Sequence, residues 1–330
     1  MKSRFAVKFL FIGGSALLAS ALLPRPGMGQ GRELPRPTGP RPVGLASVVL
    51  RDPARREELV VRLWYPGPSA ARSRLPLVLI SPAVGVGPTN YAAIGEDLAS
   101  HGFVVAALGH PPSTSGPNDN PLDVARRDIL TRAADLRFVL TRLIDSAGQS
   151  VPGLRIDAGR TVVAGHSRGG VAALEACKRD ARFRACVNMD GGVLGGPYYN
   201  DSTGEGPKAP TLWFQARHIP PSDSLLRVWN MTRVQWDSFD LRANRQLARA
   251  RGGAWRVILP DTAHMAFSDL EFLQADSAHT DSALATLDTV RLVLRTFIAT
   301  VSRGDTRVWD RASLAPSRLT IQRISESNQP

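Results

Sequence analysis

The β-branched and small apolar run Thr161-Val162-Val163-Ala164 breaks at Gly165-His166-Ser167-Arg168-Gly169-Gly170, then gives way to the helix-forming stretch Val171-Ala172-Ala173-Leu174-Glu175-Ala176. Strand, sharp turn and helix around a G-x-S-x-G pattern describe a nucleophile elbow, in which a serine is held at a strained turn beyond the strand end. Glycines two residues either side of Ser167 fit this, because a Cβ at either place would meet the neighbouring backbone. The bare pattern also describes an ordinary Gly-rich turn; the flanking strand and helix favour the elbow. An elbow needs a strand inside a sheet and a helix packed on that sheet, so this stretch constrains the fold more than any other.

The rest of the chain alternates in the same way. Leu75 to Ser81 and Phe103 to Leu108 are short, wholly apolar runs, the pattern of strands buried on both faces of a parallel sheet. A helix is predicted between them, from Thr89 or Asn90 to His101, with Gly102 as its stop. Pro121 opens a long amphipathic helix to about Asp145, with Leu122, Ile129, Ala133, Leu136, Leu140 and Leu143 on one face. Further strands are predicted at Arg184–Met189, Pro210–Gln215 and Trp255–Pro260, and a final helix from Ala283 to about Ser302. Val43–Leu50 and Glu58–Tyr65 read as two strands joined through Asp52-Pro53. The fold class is α/β, a mostly parallel central sheet with helices on both faces and right-handed crossovers. Ligands in such folds bind beyond the carboxyl ends of the strands.

Four segments are predicted. Residues 1–29 have the make-up of a secretory signal peptide: Lys2, Arg4 and Lys8, then fifteen mostly apolar residues from Phe9 to Leu23, then small residues. The run is short for a membrane span. Export to a periplasmic or extracellular space follows from this reading. Residues 30–42, with Pro35, Pro37, Pro40 and Pro42, read as an extended linker rather than a packed element, 43–303 as the domain, and 304–330 as a loosely held polar tail. The net charge is +12, of which Lys2, Arg4, Lys8 and Arg25 supply four. The remaining basic residues are scattered arginines with no long run, so a solvated surface is read rather than a nucleic-acid site. Cys177, late in the elbow helix, and Cys186, early in the next strand, are either bridged or two small buried apolar side chains. Without a His cluster they do not make a zinc site.

A serine hydroxyl needs a base to take its proton, and the base needs an orienting acid. Of six histidines, His166 adjoins Ser167, His101 lies in a helix end, His279 lies in a polar capping stretch, and His110 and His218 are pocket candidates. His264 follows the last strand, in the chain order Ser, acid, His. Asp190 ends the strand after the elbow helix and is preferred as the acid to Asp223, which lies farther past the next strand and reads naturally as a helix cap. Asp261 is too close in sequence to His264. The oxyanion donors are predicted to be the backbone N–H groups of Arg168 and Val84, with Ala83 as the neighbouring alternative and Pro82 excluded for lack of an N–H. No metal or organic cofactor is required by this chemistry.

Four segments resemble the platelet-activating-factor acetylhydrolase family of α/β-hydrolases, in its secreted type and bacterial relatives. They are Ala93 to Ala107 (AIGEDLASHGFVVAA), Gly165 to Gly170 (GHSRGG), Arg182-Phe183-Arg184 leading to Asp190, and His264-Met265-Ala266-Phe267-Ser268-Asp269. The resemblance spans about residues 75 to 300. It implies an α/β-hydrolase fold, a serine carboxylic-ester hydrolase with Asp190 as acid, a small-molecule or lipid ester substrate, and transient contact with lipid surfaces. Related bacterial proteins include dienelactone-hydrolase-like and polyester-hydrolase-like esterases, and the alternative to an esterase is a catalytically silent binding protein on the same fold. Two departures stand out: Arg168 replaces the family's elbow Phe, and Ser81-Pro82-Ala83-Val84-Gly85 replaces its S-H-G-L-G segment. The loop before His264 is also longer.

Overall fold

The computed structural model describes residues 32–67, 73–116, 119–193, 204–216, 222–228, 232–301, 304–306, 309 and 319–325. Nine strands form one sheet in the order β1-β2-β4-β3-β5-β6-β7-β8-β9. They are β1 (Val43–Asp52), β2 (Glu57–Pro66), β3 (Leu75–Ser81), β4 (Val104–Gly109), β5 (Ile156–His166), β6 (Phe183–Met189), β7 (Thr211–Gln215), β8 (Ala254–Ile258) and β9 (Thr320–Ile324). The six from β4 through β8 in that order pair in parallel, while β1, β2 and β9 run antiparallel to the strand each joins. This is the mostly parallel α/β sheet that the apolar runs and the elbow predict, and the α/β-hydrolase fold that the family resemblance implies.

Helices cover both faces. They are α1 (Ala92–Ser100), α2 (Pro121–Ser150), α3 (Arg168–Arg179), α4 (Asp223–Val228), α5 (Arg233–Ala248), α6 (Asp269–Gln274) and α7 (Thr280–Val301). One core joins the sheet to α2, α3 and α5 through Ile129, Leu136, Leu140, Leu174 and Leu247. The other joins it to α1 and α7 through Ile94, Leu98, Leu287, Leu294 and Phe297. Every residue of β3 is buried, and so is β5 from Thr161 to His166, which explains why these strands read as continuous apolar runs rather than alternating ones. Among the described residues no helix is long and apolar enough to cross a membrane.

Two boundaries differ from the expectation. The chain past residue 303 is not a loose tail throughout: Trp309 is buried on Phe297, and Thr320–Ile324 pairs with β8 along its full length. The signal was weak because β9 is an edge strand whose only apolar residues are Ile321 and Ile324. Nor is the Pro-rich segment an unpacked linker from residue 32 onward. Arg32 donates to the carbonyls of Phe272 and Ala275, and Thr38 donates to buried Asp97 through both its N–H and its hydroxyl. Arg291 and Arg295 of α7 donate to the same carboxylate. Backbone polar groups that find such partners let an extended, Pro-rich chain pack without forming an element. Residues 1–29 lie outside the described residues.

Candidate active site

The elbow emerges where β5 ends between its neighbours. Ser167 has φ 57° and ψ −125°, a conformation that side chains other than glycine rarely adopt. Its N–H donates to the Met189 carbonyl at 2.9 Å, tying the turn to β6. A Cβ on Gly165 would run into the Gly169 backbone, and one on Gly169 would run into the carbonyl oxygens of Ser81 and Pro82. The glycines therefore let α3 fold back on β5 and let the loop after β3 lie directly on the elbow.

Asp190, one residue past β6, also has a positive φ, 53°. Its N–H donates to Phe214 O and its Oδ1 accepts the Ala216 N–H, both at 2.9 Å. The Asn188 side chain braces the same turn, accepting the Gly191 N–H and donating to the carbonyls of Gly191 and Gly192. Asp190 Oδ2 is thereby aimed at His264, whose Nδ1 lies 2.6 Å away. His264 opens a 3-10 turn, His264–Phe267, beyond β8. Its Nε2 is buried and makes no hydrogen bond among the described residues. An Nδ1–H held by a carboxylate leaves Nε2 as the free acceptor, the tautomer a general base needs.

The loop after β3 is tethered residue by residue. Ser81 Oγ meets His110 Nε2 at 2.8 Å, Arg132 Nη1 donates to Pro82 O at 3.1 Å, and the Ala83 N–H donates to Tyr91 Oη at 2.9 Å. Ala83 is thus committed elsewhere. Among the described residues no acceptor is bonded to the N–H of Val84 or of Arg168.

The other histidines sort themselves by their partners. His110 is buried, with Nδ1 2.6 Å from Asp135; burial lowers its pKa although that carboxylate opposes the shift. His101 meets Thr38 on the far side of the domain, His279 pairs with Asp276 at the surface, and His218 lies outside the described residues. Asp223 starts α4 and pairs with Arg233 in solvent, while the carboxylate that meets His264 is that of Asp190. Cys177 and Cys186 are joined in a disulfide, Cα atoms 6.3 Å apart, linking the last turn of α3 to β6. Among the described residues no group of His, Cys, Asp and Glu is placed to hold a metal ion.

Three residues with parts in this network were not predicted from sequence. Tyr91 reaches both Ala83 and His166. Asp269 accepts the N–H groups of Ala92 and Ala93 and so ties the His264 segment to the start of α1. Arg132 reaches the loop from α2. Only Asp269 had a signal, as the last residue of the H-x-x-F-x-D segment.

A family model described as PET hydrolase-like matches residues 60–251. The chain belongs to the PET hydrolase-like family. Curated relatives of this PET hydrolase-like chain include the platelet-activating factor acetylhydrolase of Canis lupus familiaris, 27% identical over 38% of the chain and 37% of that protein. They also include cutinase est1 of Thermobifida alba, 31% identical over 34% of the chain and 33% of that protein. The matches span about a third of these relatives' length. Among solved structures, a ferulic acid esterase from Streptomyces cinnamoneus superposes with a TM-score of 0.65 at 26% identity, covering 89% of this chain and 100% of that one. The resemblance read from the four sequence segments is borne out by the acetylhydrolase relatives.

Proposed function

We propose that the protein is an exported serine hydrolase of carboxylic esters, with Ser167 as nucleophile, His264 as general base and acid, and Asp190 as the orienting carboxylate. The observation that carries this is the 2.6 Å contact between Asp190 and His264 beside a serine at φ 57°. The relatives named above are described as an acetylhydrolase, a cutinase and a ferulic acid esterase, and that supports the reaction class.

Ser167 Oγ attacks the ester carbonyl while His264 Nε2 takes its proton. Asp190 stabilises the imidazolium through Nδ1. Negative charge gathers on the carbonyl oxygen, and the unbonded N–H groups of Val84 and Arg168 are the donors for it. Collapse of the tetrahedral adduct expels the alcohol, protonated by His264. Water, deprotonated by the same histidine, then hydrolyses the acyl-enzyme. The buried bridge between Cys177 and Cys186 fits an oxidising compartment and supports the export reading.

The substrate is a small, aromatic or lipid ester, or an ester link in a polymer. A fluorophosphonate probe and p-nitrophenyl acetate test the reaction: wild type labels and turns over, and Ser167→Ala does neither. Undiminished turnover in Ser167→Ala sinks the proposal. A panel of p-nitrophenyl esters from acetate to palmitate, a feruloyl ester and a polyester film then separates the substrate classes.

A further inference from the structure

Arg168 stands where the resembling family has Phe, and its side chain does not point into solvent. Its Nη1 donates to Asp128 Oδ2 at 3.0 Å. Asp128 lies on α2, and Arg132, one turn further along, donates through Nε to both Asp128 oxygens at 3.0 Å. The same guanidinium then donates through Nη1 to Pro82 O at 3.1 Å. All three side chains are close to fully buried, at 11%, 4% and 9% exposure. Burial alone would raise the pKa of Asp128. Arg132, the Ser113 hydroxyl and Arg168 outweigh burial and hold it below the ordinary carboxylate value.

Pro82 O and the Ala83 N–H belong to one peptide plane. Arg132 holds its oxygen, and Tyr91 Oη, packed from the opposite side, holds its N–H. A plane gripped at both edges cannot rotate, and the next plane, which carries the Val84 N–H, is held in turn by the Val86 N–H, which donates to the Ala83 carbonyl at 3.2 Å. The chain Arg168–Asp128–Arg132–Pro82 therefore runs from the residue that carries one unbonded N–H to the loop that carries the other. Two guanidiniums thus share one carboxylate. A carboxylate with both partners present is held in one geometry, whereas loss of either partner leaves a poorly compensated buried charge.

We propose that Arg168, Asp128 and Arg132 form a positioning network that sets the separation of the Val84 and Arg168 N–H donors, so that Arg168 acts through its side chain as well as its amide. This rests on the reading of Ser167 as the nucleophile. The three act on the reaction through the two amides and do not touch the substrate.

The test uses full-length Arg168→Phe, Arg168→Lys, Arg132→Lys and Asp128→Asn, with Arg126→Gln on the exposed side of α2 as the charge-matched control. Active sites are counted by fluorophosphonate titration, so misfolded protein is left out of each rate. Per titrated site, kcat for p-nitrophenyl acetate falls about 10- to 100-fold in the network variants, the scale of a weakened oxyanion donor, while KM moves less than about threefold. The inhibition constant of a trifluoromethyl ketone, which forms a tetrahedral adduct on the serine, weakens in proportion to the loss in kcat/KM. Arg132→Lys keeps the charge but not the fork and is not rescued. A purely structural role would lower the titrated fraction and leave kcat and the inhibition constant per site unchanged. That result, in the variants that titrate, overturns the proposal and leaves the Ser167 reading intact. Failure of wild type to titrate overturns the Ser167 reading instead.

Discussion

His166 Nε2 donates to the backbone carbonyl of His264 at 2.8 Å. The carbonyl has no proton to give, so the direction is fixed, and Nδ1 is left to accept the Tyr91 hydroxyl at 3.0 Å. Burial, and then the neighbouring His264, push the His166 pKa well down, which keeps this neutral tautomer in place. Tyr91 Oη in turn accepts the Ala83 N–H. One line of three hydrogen bonds thus joins the loop after β3, the elbow and the backbone of the candidate base.

His166→Phe keeps a ring of similar size and removes both bonds. It strands the Tyr91 hydroxyl and the His264 carbonyl, each at about 1–3 kcal/mol when buried. The expected outcome is a melting temperature lower by several degrees and kcat/KM for p-nitrophenyl acetate lower by about tenfold or more. Calorimetry and steady-state kinetics check it, and unchanged turnover would show that the line does not bear on His264.

The Gly169 contact with Ser81 O and Pro82 O leaves no room for a methyl group. Gly169→Ala must push the loop off the elbow, at about 1–3 kcal/mol for an overpacked site. Turnover is expected to suffer more than stability, because Val84 moves with the loop. A variant that melts lower but keeps its wild-type kcat would contradict this coupling.

Stability should respond to pH through groups of opposite sign. His110 and His166 are buried with lowered pKa values, so their contribution is complete above their unfolded value near 6.5 and is lost as pH falls below it. Asp269 behaves in reverse. Burial raises it to about 6 against the pull of the Ala92 and Ala93 amides, so the folded state gains stability as pH falls from 6 towards 4. Urea unfolding at pH 7.5 and about pH 5 should show wild type weaker in acid, Asp269→Asn losing more on acidification than wild type, and His110→Gln losing less. Equal acid losses in all three proteins would rule the assignment out.

The bond between Cys177 and Cys186 closes a loop of nine residues' separation. Chain-entropy arguments give about 2–3 kcal/mol for a loop of this size. Cys177→Ala with Cys186→Ala should melt lower by about 5–10 °C and, at 25 °C, keep kcat within about twofold. Neither cysteine touches Ser167, Asp190 or His264, so a large loss of kcat in well-folded protein would give the bridge a part in setting the site.

The strands, the elbow and the positions of Asp190 and His264 were legible because each depends on local pattern: an apolar run, a turn that needs glycine, a polar residue just past a strand. The tethers were not. Asp128 and Arg132 stand four residues apart on α2, and nothing in that spacing points to Arg168 or Pro82. Tyr91 and His166 are 75 residues apart, so their bond exists only once α1 packs on the sheet. Thr38 and Asp97 are hidden in the same way, since a Pro-rich segment looks unstructured until its partner is known. β9 was missed because an edge strand needs apolar residues on only part of one face.

That ninth strand also fixes where the chain leaves the sheet. Thr320 lies beside Ile258, at the end where Ser167 and His264 gather, and Ile324 lies beside Ala254, at the other end. Between Thr320 and Ile324 the backbone therefore crosses the sheet, from the end where Ser167 and His264 gather to the opposite end. Anchored to a bead or a resin through Ile324, the molecule would turn the end that carries Ser167 and His264 outward, toward a solid polymer or a lipid film.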